Sequence, residues 1–315
     1  MTSHDIPTPL PRVLAVVGPT AVGKTVLAEE LAVRLGGEIV SADSMQVYRG
    51  MDIGTAKPPA SARRVPYHCL DLAEPGDTFS AALFQRAART AIADITGRDK
   101  LPVVAGGTGL YVRAALDTME FPEGEQLDNP VRAEYEAYAA EHGSEALHAL
   151  LASRDAESAV VVHPSNVRRT VRALEMLDSG VSYARQREGF SARESVYDTR
   201  FVGLTMERAR LYERVDARVD AMLSAGLLGE VRALLDAGLR GALTASQAIG
   251  YKEFVPVLDA GADLEEAVSA VKQASRRYAK RQLTWFSADP RIRWIDVTEL
   301  TPGQAADVAV GTLDW

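Results

Sequence analysis

Five apolar residues, Val13 to Val17, run directly into Gly18-Pro19-Thr20-Ala21-Val22-Gly23-Lys24-Thr25, and a helical pattern follows from Val26 to Leu35. The eight-residue string fits G-x-x-x-x-G-K-[ST], a loop whose successive amides cradle phosphate oxygens. The glycines allow the curl, and the helix start adds its partial positive charge. Lys24 contributes a full charge, and the Thr25 hydroxyl suits a phosphate-bound Mg²⁺. Strand, loop and helix occur in the order the motif requires. The start of the chain is therefore committed to a parallel α/β unit that holds a diphosphate or triphosphate group.

The next segments extend that unit. Leu27, Leu31 and Leu35 share one helix face, closed by Gly36-Gly37. Glu38 to Ala42 reads as a second strand, ending in the loop Asp43-Ser44-Met45-Gln46-Val47-Tyr48. Phe79 to Gly97 reads as a helix, and Leu101 to Ala105 as a third strand that runs into Gly106-Gly107-Thr108-Gly109. Strand–helix alternation predicts a doubly wound parallel sheet of the P-loop NTPase-like α/β class. Its carboxyl edge would gather the phosphate loop, Asp43 and Thr108. The third strand ends without an acidic residue, where nucleotide-hydrolysing relatives of this loop usually carry one. Group transfer is therefore favoured over a hydrolytic motor.

Near Thr118 the pattern turns to helix after helix, starting at Asn129-Pro130, and a strand signal returns only at about Arg200 to Leu204. The expected organisation is a core of 1–117 and 200–315, with 118–199 as a helical insertion domain. In the helix of Glu207 to Gly226, Arg210, Arg214 and Arg218 form a stripe apart from Leu211, Val215, Val219 and Met222. Asp263-x-x-Glu266 reads as a capping box. It opens a helix that carries Leu264, Val268, Val271, Ser275, Tyr278, Gln282 and Trp285 in steps of four and three. Ile292 to Val297 reads as a last strand.

Charge and composition narrow the function. The chain of 315 residues has a net charge of −8, which argues against indiscriminate nucleic-acid binding. Yet Lys272, Arg276, Arg277, Lys280 and Arg281 fall within one stretch that has no acid, and Arg168, Arg169 and Arg172 cluster in the insertion. Two basic helical faces on an acidic protein suit a polyanion gripped at specific places, although an ordinary solvated surface explains either one alone. Asp43 reads as a Mg²⁺ ligand, a general base or simply an Asx turn. The single cysteine, Cys69, reads as a buried structural thiol in a reducing cytoplasm. His68, His142, His148 and His163 show no metal-ligand spacing. No apolar run is long enough to span a membrane, and a monomer is the default expectation.

With these residues assembled, the chain resembles the tRNA dimethylallyltransferase (tRNA isopentenyltransferase) family from the phosphate loop to Trp285. The resemblance rests on Gly18 to Thr25, Asp43 to Tyr48, Gly50 to Pro58, Gly106 to Tyr111, His163 with Pro164, Arg168 to Glu175, Gln247 to Lys252, and Gln273 to Phe286. It implies transfer of a dimethylallyl group from dimethylallyl diphosphate to N6 of adenosine 37 in tRNA, with diphosphate released. It also implies roles. Asp43 would accept the N6 proton, and Thr20 and Arg218 would bind the diphosphate end of the donor. Gly18, Pro19, Thr20, Ala21, Val22, Gly23, Lys24 and Thr25 would cradle that diphosphate, with Mg²⁺ on Thr25. Asp43, Ser44, Met45, Gln46, Thr108 and Gly109 would surround the flipped adenine and its neighbours. The anticodon arm would be held by Arg168, Arg169, Arg172, Gln247, Gly250, Tyr251, Lys252, Arg277, Lys280 and Arg281.

Three positions depart from the family pattern. Val167 stands where a charged residue is frequent, Ala156 where a proline is usual, and Ser287 where an arginine is common. The last puts one interaction with a phosphate in question. Two other readings keep the phosphate loop: an ATP-using small-molecule kinase with the insertion as lid, and a nucleotide-gated RNA-binding protein without catalysis.

Overall fold

The structure, a computed structural model, describes residues 9–121 and 129–315. The first eight residues of the polar tail and residues 122–128 of the expected insertion lie outside the described residues. The chain divides into two compact units, 1–117 with 195–315, and 118–194.

The first unit is built on β1 (Arg12–Val17), α1 (Lys24–Leu35), β2 (Gly37–Ser41), the short β3 (Tyr67–His68), α2 (Ala81–Gly97), β4 (Leu101–Gly106) and α3 (Gly109–Leu116). The second holds α4 (Pro130–Arg154), α5 (Ala156–Val161), α6 (Val167–Asp178) and α7 (Tyr183–Ser191). The first then resumes with β5 (Asp198–Thr205), α8 (Arg208–Ser224), α9 (Leu227–Asp236), α10 (Val255–Ala260), α11 (Leu264–Ser287), β6 (Ile292–Asp296) and α12 (Pro302–Gly311).

One six-stranded sheet runs in the order β3-β2-β4-β1-β5-β6, and every pairing is parallel. The fold is thus α/β, as the strand–helix alternation predicts. Leu14 and Val16 of β1 pack with Leu27 and Leu31 of α1 and Ala306 of α12. Val13, Ala15 and Val17 alternate to the opposite face and are fully buried too, so both faces are covered. β4 lies between β2 and β1, so the loops leaving all three strands open side by side. The exits of β2 and β4 are stapled together. The Ala42 amide donates to Ala105 O at 2.8 Å, and the Thr108 amide to Ala42 O at 3.3 Å.

The second unit has its own core, in which Tyr135, Leu147 and Leu151 of α4 meet Val171 and Leu174 of α6. α4 is broken at Gly143, whose φ of 86° no helix accommodates. Asn166 caps α6 by accepting the Arg169 N–H.

The unit ends earlier than the strand signal at 200 suggests. Ser195 bridges to Asp117, and the Val196 amide donates to Leu116 O at 2.8 Å, so the chain rejoins the core before β5 begins. Ser195 to Thr199 has no apolar run, and hydrogen bonds rather than burial hold it. β3 also lacks a clear sequence signal, being two residues long. α12 buries only Ala305, Ala306 and Ala309, and its signal lies at its start, where Thr301 and Gln304 form a capping box around Pro302. Among the described residues no helix is long and apolar enough to cross a membrane.

Candidate active site

The phosphate loop leaves β1 at Gly18, whose φ is 146°. A Cβ there would lie 2.7 Å from Leu204 O, so a side chain would push the loop off β5. Ala21 and Gly23 also take positive φ, 65° and 107°, and Gly23 leads into α1. The Lys24 ammonium bends back to donate to Pro19 O at 2.6 Å. Loss of water around it, then the nearby Arg218 charge, lower its pKa to about 7, against the pull of Asp43. An anion in the loop would restore its proton affinity. Thr25 is exposed at the start of α1.

Asp43 stands where β2 ends, half-buried. Its Oδ1 accepts the amides of Met45 at 2.9 Å and Gln46 at 3.4 Å. The Asx turn is therefore real, and it holds the carboxylate in place. Thr108 closes the same edge: its Oγ1 accepts the Ser44 amide at 3.1 Å and donates to Ser44 Oγ at 3.2 Å.

The loop of Met51 to Pro58 is held by two charged residues. The Lys57 side chain is almost fully buried, and its ammonium donates to Tyr48 O, Asp52 Oδ1 and Asp71 Oδ1. Glu230 on α9 accepts three successive amides, Asp52, Ile53 and Gly54, and also the Tyr251 hydroxyl at 2.6 Å. Gly54 is required here, since a Cβ would lie 2.5 Å from the Tyr251 ring. The loop so pinned presents Thr55 O to the Arg218 guanidinium at 3.2 Å. Burial lowers the pKa of Arg218, while Asp43 opposes the shift.

α11 closes the site from the other side. Gln282 is buried. Its Oε1 accepts the Thr20 amide at 2.7 Å, and its Nε2 donates to Gly107 O at 2.9 Å. Burial raises the Tyr278 hydroxyl to about 12, with help from the Asp43 charge.

Two cavities result. The smaller, about 90 Å³, is lined by Thr20, Lys24, Thr25 and the ends of β2 and β4. The larger, about 460 Å³, runs past Ser44 and Met45 to Met222, the segment Gln247 to Lys252, Arg277 and Arg281. Thr20, Asp43, Thr55, Arg218 and Tyr278 line both. The three residues expected to do chemistry, Thr20, Asp43 and Arg218, thus stand where the two cavities meet.

Other expected site residues are placed less uniformly. Gln46 faces the smaller cavity, with its side chain committed to Ser41 Oγ and Thr55 O. Tyr251 is fully buried, and its hydroxyl is bound to Glu230. Gln247 and Lys252 are exposed. The basic stretch of α11 divides. Lys272 pairs with Asp220 and Arg276 with Asp216 of α8, whereas Arg277, Lys280 and Arg281 are exposed. The stripe of steps of four and three faces the larger cavity through Val271, Ser275 and Tyr278, while Leu264 and Trp285 at its ends are exposed. Arg168 and Arg169 are exposed on the second unit, and Arg172 pairs with Glu175. Cys69 is buried, and its thiol is pushed up to about 12 by that burial. His148 turns its ring nitrogen to Ala159 O and Val162 O, and His68 to Glu38, so both are structural.

Sequence reasoning leaves Thr55, Lys57, Glu230, Tyr278 and Gln282 without roles. For Gln282 a signal exists, a polar residue on a face that otherwise turns inward. For Glu230 there is none, because its amide partners lie 176–178 positions away.

The sequence pattern described as IPP transferase matches residues 46–289, and that described as isopentenyl transferase matches residues 11–64. The chain is 49% identical over 290 residues to a protein of Geobacillus thermodenitrificans named tRNA dimethylallyltransferase, covering 91% of each. It is 48% identical over 309 residues to one of Acidothermus cellulolyticus with the same name, covering 96% of this chain and 92% of the relative. Among solved structures, it matches the full-length tRNA isopentenylpyrophosphate transferase of Bacillus halodurans at a TM-score of 0.69 and 43% identity, over 95% of this chain and 96% of that one. It matches a eukaryotic dimethylallyltransferase acting on tRNA at a TM-score of 0.81 and 29% identity, over 95% of this chain and 78% of that one.

Proposed function

The chain belongs to the IPP transferase family, the tRNA dimethylallyltransferases, and from that premise we propose that it transfers a dimethylallyl group from dimethylallyl diphosphate to N6 of adenosine 37 in the tRNA anticodon loop. The observation that carries this reading is the junction of the two cavities at Thr20, Asp43 and Arg218. A reaction that joins two substrates needs them to meet at one place, and this place holds a carboxylate beside cationic and hydroxyl groups.

In this reading the diphosphate occupies the smaller cavity. The C1–O bond of the donor breaks, the C1–N6 bond forms, and diphosphate leaves with the electron pair of the broken bond. Asp43 takes the proton that N6 sheds. The exocyclic amine of a purine is a weak nucleophile, so a placed base contributes about 10²–10⁴-fold. Lys24, Arg218 and the loop amides offset charge growing on the leaving group, in a site where little water competes. Arg218 can do this because Thr55 O already orients its guanidinium.

Mg²⁺ fits the smaller cavity. Thr25 offers a hydroxyl, a hard oxygen donor, and Mg²⁺ typically takes only one or two protein ligands beside substrate phosphates and water. When bound at Thr25 it supplies further neutralisation of the diphosphate. The larger cavity takes the flipped adenine beside Ser44 and Met45, and the anticodon arm lies against the exposed arginines and lysine of α11. The enzyme works as a monomer in this reading, since one chain carries the whole junction.

The test is direct. The protein is incubated with dimethylallyl diphosphate, Mg²⁺ and an RNA anticodon stem–loop containing A37, and the nucleosides are analysed by mass spectrometry. A dimethylallyl mass gain at A37, lost when A37 is replaced by G, is expected. ATP turnover without prenyl transfer, or binding of the RNA without modification, overturns the proposal.

A further inference from the structure

Trp285 is 47% exposed, at the end of the helix that closes the site. A tryptophan left half in solvent gives up a large burial gain, yet this one is not loose. A Cβ at Gly109 would lie 2.0 Å from its Nε1 and 2.1 Å from its Cδ1, so the pyrrole edge is pressed against the Gly109 backbone. Much of the remaining indole is open to solvent. Leu110, 37% exposed, stands beside that glycine.

Neighbours of this ring line the larger cavity. Arg281, one turn earlier on the same face, lines the larger cavity. Thr108, next to Gly109, holds Ser44, which lines it too. Arg277, Lys280 and Arg281 are exposed along the same helix end. An exposed aromatic face among exposed cations is the combination that single-stranded nucleic acid seeks: bases stack on the ring while phosphates meet the charges.

Resting on the proposed transfer to A37, we infer that Trp285 is a stacking platform for a base of the anticodon loop adjoining the flipped adenosine. It acts on RNA binding and not on the donor. A flipped base leaves a gap in the loop stack, and an indole beside the cavity compensates an exposed neighbour for that loss.

The test compares wild type, Trp285→Ala and Trp285→Phe in the A37 modification assay. Trp285→Ala is expected to raise the KM for the RNA stem–loop on the order of tenfold, the size of one lost stack. The KM for dimethylallyl diphosphate should stay within about twofold, and Trp285→Phe should recover most of the loss. A set of stem–loops with single abasic nucleotides then locates the partner, because the Trp285→Ala penalty disappears against one of them only. An unchanged RNA KM overturns the inference while leaving the A37 reaction intact. So does a penalty shared equally by every abasic RNA, or a change in oligomeric state by sedimentation, which would assign the face to a protein partner. Absence of modification by wild type overturns both this and the proposed function.

Discussion

Gln282 Oε1 accepts the backbone N–H of Thr20 at 2.7 Å, across 262 positions of sequence. The same amide group donates to Gly107 O. One side chain on α11 therefore ties the phosphate loop to the exit of β4, and it does so from the helix that also presents Arg277, Lys280 and Arg281.

Gln282→Glu keeps the acceptor for Thr20 but loses the donor to Gly107 and adds a negative charge beside the diphosphate site. The KM for dimethylallyl diphosphate should rise at least tenfold, about 1.4 kcal/mol or more, while the KM for RNA changes little. Steady-state kinetics with each substrate varied in turn gives the answer. An equal rise in both would mean that Gln282 only holds α11 in place.

Asp43→Asn retains an oxygen for the Met45 and Gln46 amides, so the turn survives and only the base is removed. The value of kcat should fall by about 10²–10⁴-fold. Donor affinity, read by equilibrium binding of dimethylallyl diphosphate, should hold within about threefold. Near-normal turnover would return Asp43 to a purely structural part.

The cations of α11 should separate by their partners. Arg277→Ala with Arg281→Ala should weaken RNA binding and flatten the dependence of log K on log salt by about 0.7 for each phosphate no longer neutralised. Lys272→Ala and Arg276→Ala remove charges already paired with Asp220 and Asp216, and should leave that slope unchanged. Titrations at several salt concentrations decide. Equal slopes for the two double variants would contradict the division.

Glu230 lies away from the reacting atoms but holds three loop amides and a tyrosine hydroxyl. Glu230→Ala should cost on the order of 3 kcal/mol of stability, since several partly buried donors lose a charged acceptor at once. Hydrogen exchange at Asp52, Ile53 and Gly54 should accelerate selectively. Protection unchanged at those amides would show that Lys57 alone secures the loop.

What is legible in the sequence follows from the range of the forces involved. β1, β2, β4 and the helices after them are announced by local apolar periodicity, and the loop by a contiguous motif. The convergence of Thr20, Asp43 and Thr108 follows from parallel topology, which places strand exits on one edge. The return of the chain at Ser195 is not legible, because no hydrophobic pattern marks it. The pairing of Lys272 and Arg276 with α8 is invisible for a different reason. An ion pair between helices depends on their relative rotation, which a residue string does not encode. Gln282 and Glu230 share that property, each acting on a partner set by tertiary structure, whereas the partners of Lys57 lie within 14 positions but in a loop that no periodicity marks.

A last prediction concerns the sheet edge that carries Asp43. Glu38 on β2 is 6% exposed and bridges Arg98 at the end of α2 and His68 on β3. The hydrogen bonds from Arg98, with the one from His68, hold its pKa at about 2, against the desolvation that opposes them. Because the folded value lies below the ordinary 4.5, the unfolded chain takes up the proton first as pH falls. The stabilisation is therefore complete above about pH 4.5 and drains away toward pH 2. Glu38→Gln removes the charge at every pH. It should lower stability at pH 7 by on the order of 2 kcal/mol and flatten the loss between pH 4.5 and 2, with little change in kcat at neutral pH. Urea unfolding of both proteins at pH 7 and pH 3 measures the effect. A variant with the wild-type acid dependence would place the source of acid lability in another carboxylate, and would leave the β2–β3–α2 edge held by its backbone ladder and apolar packing alone.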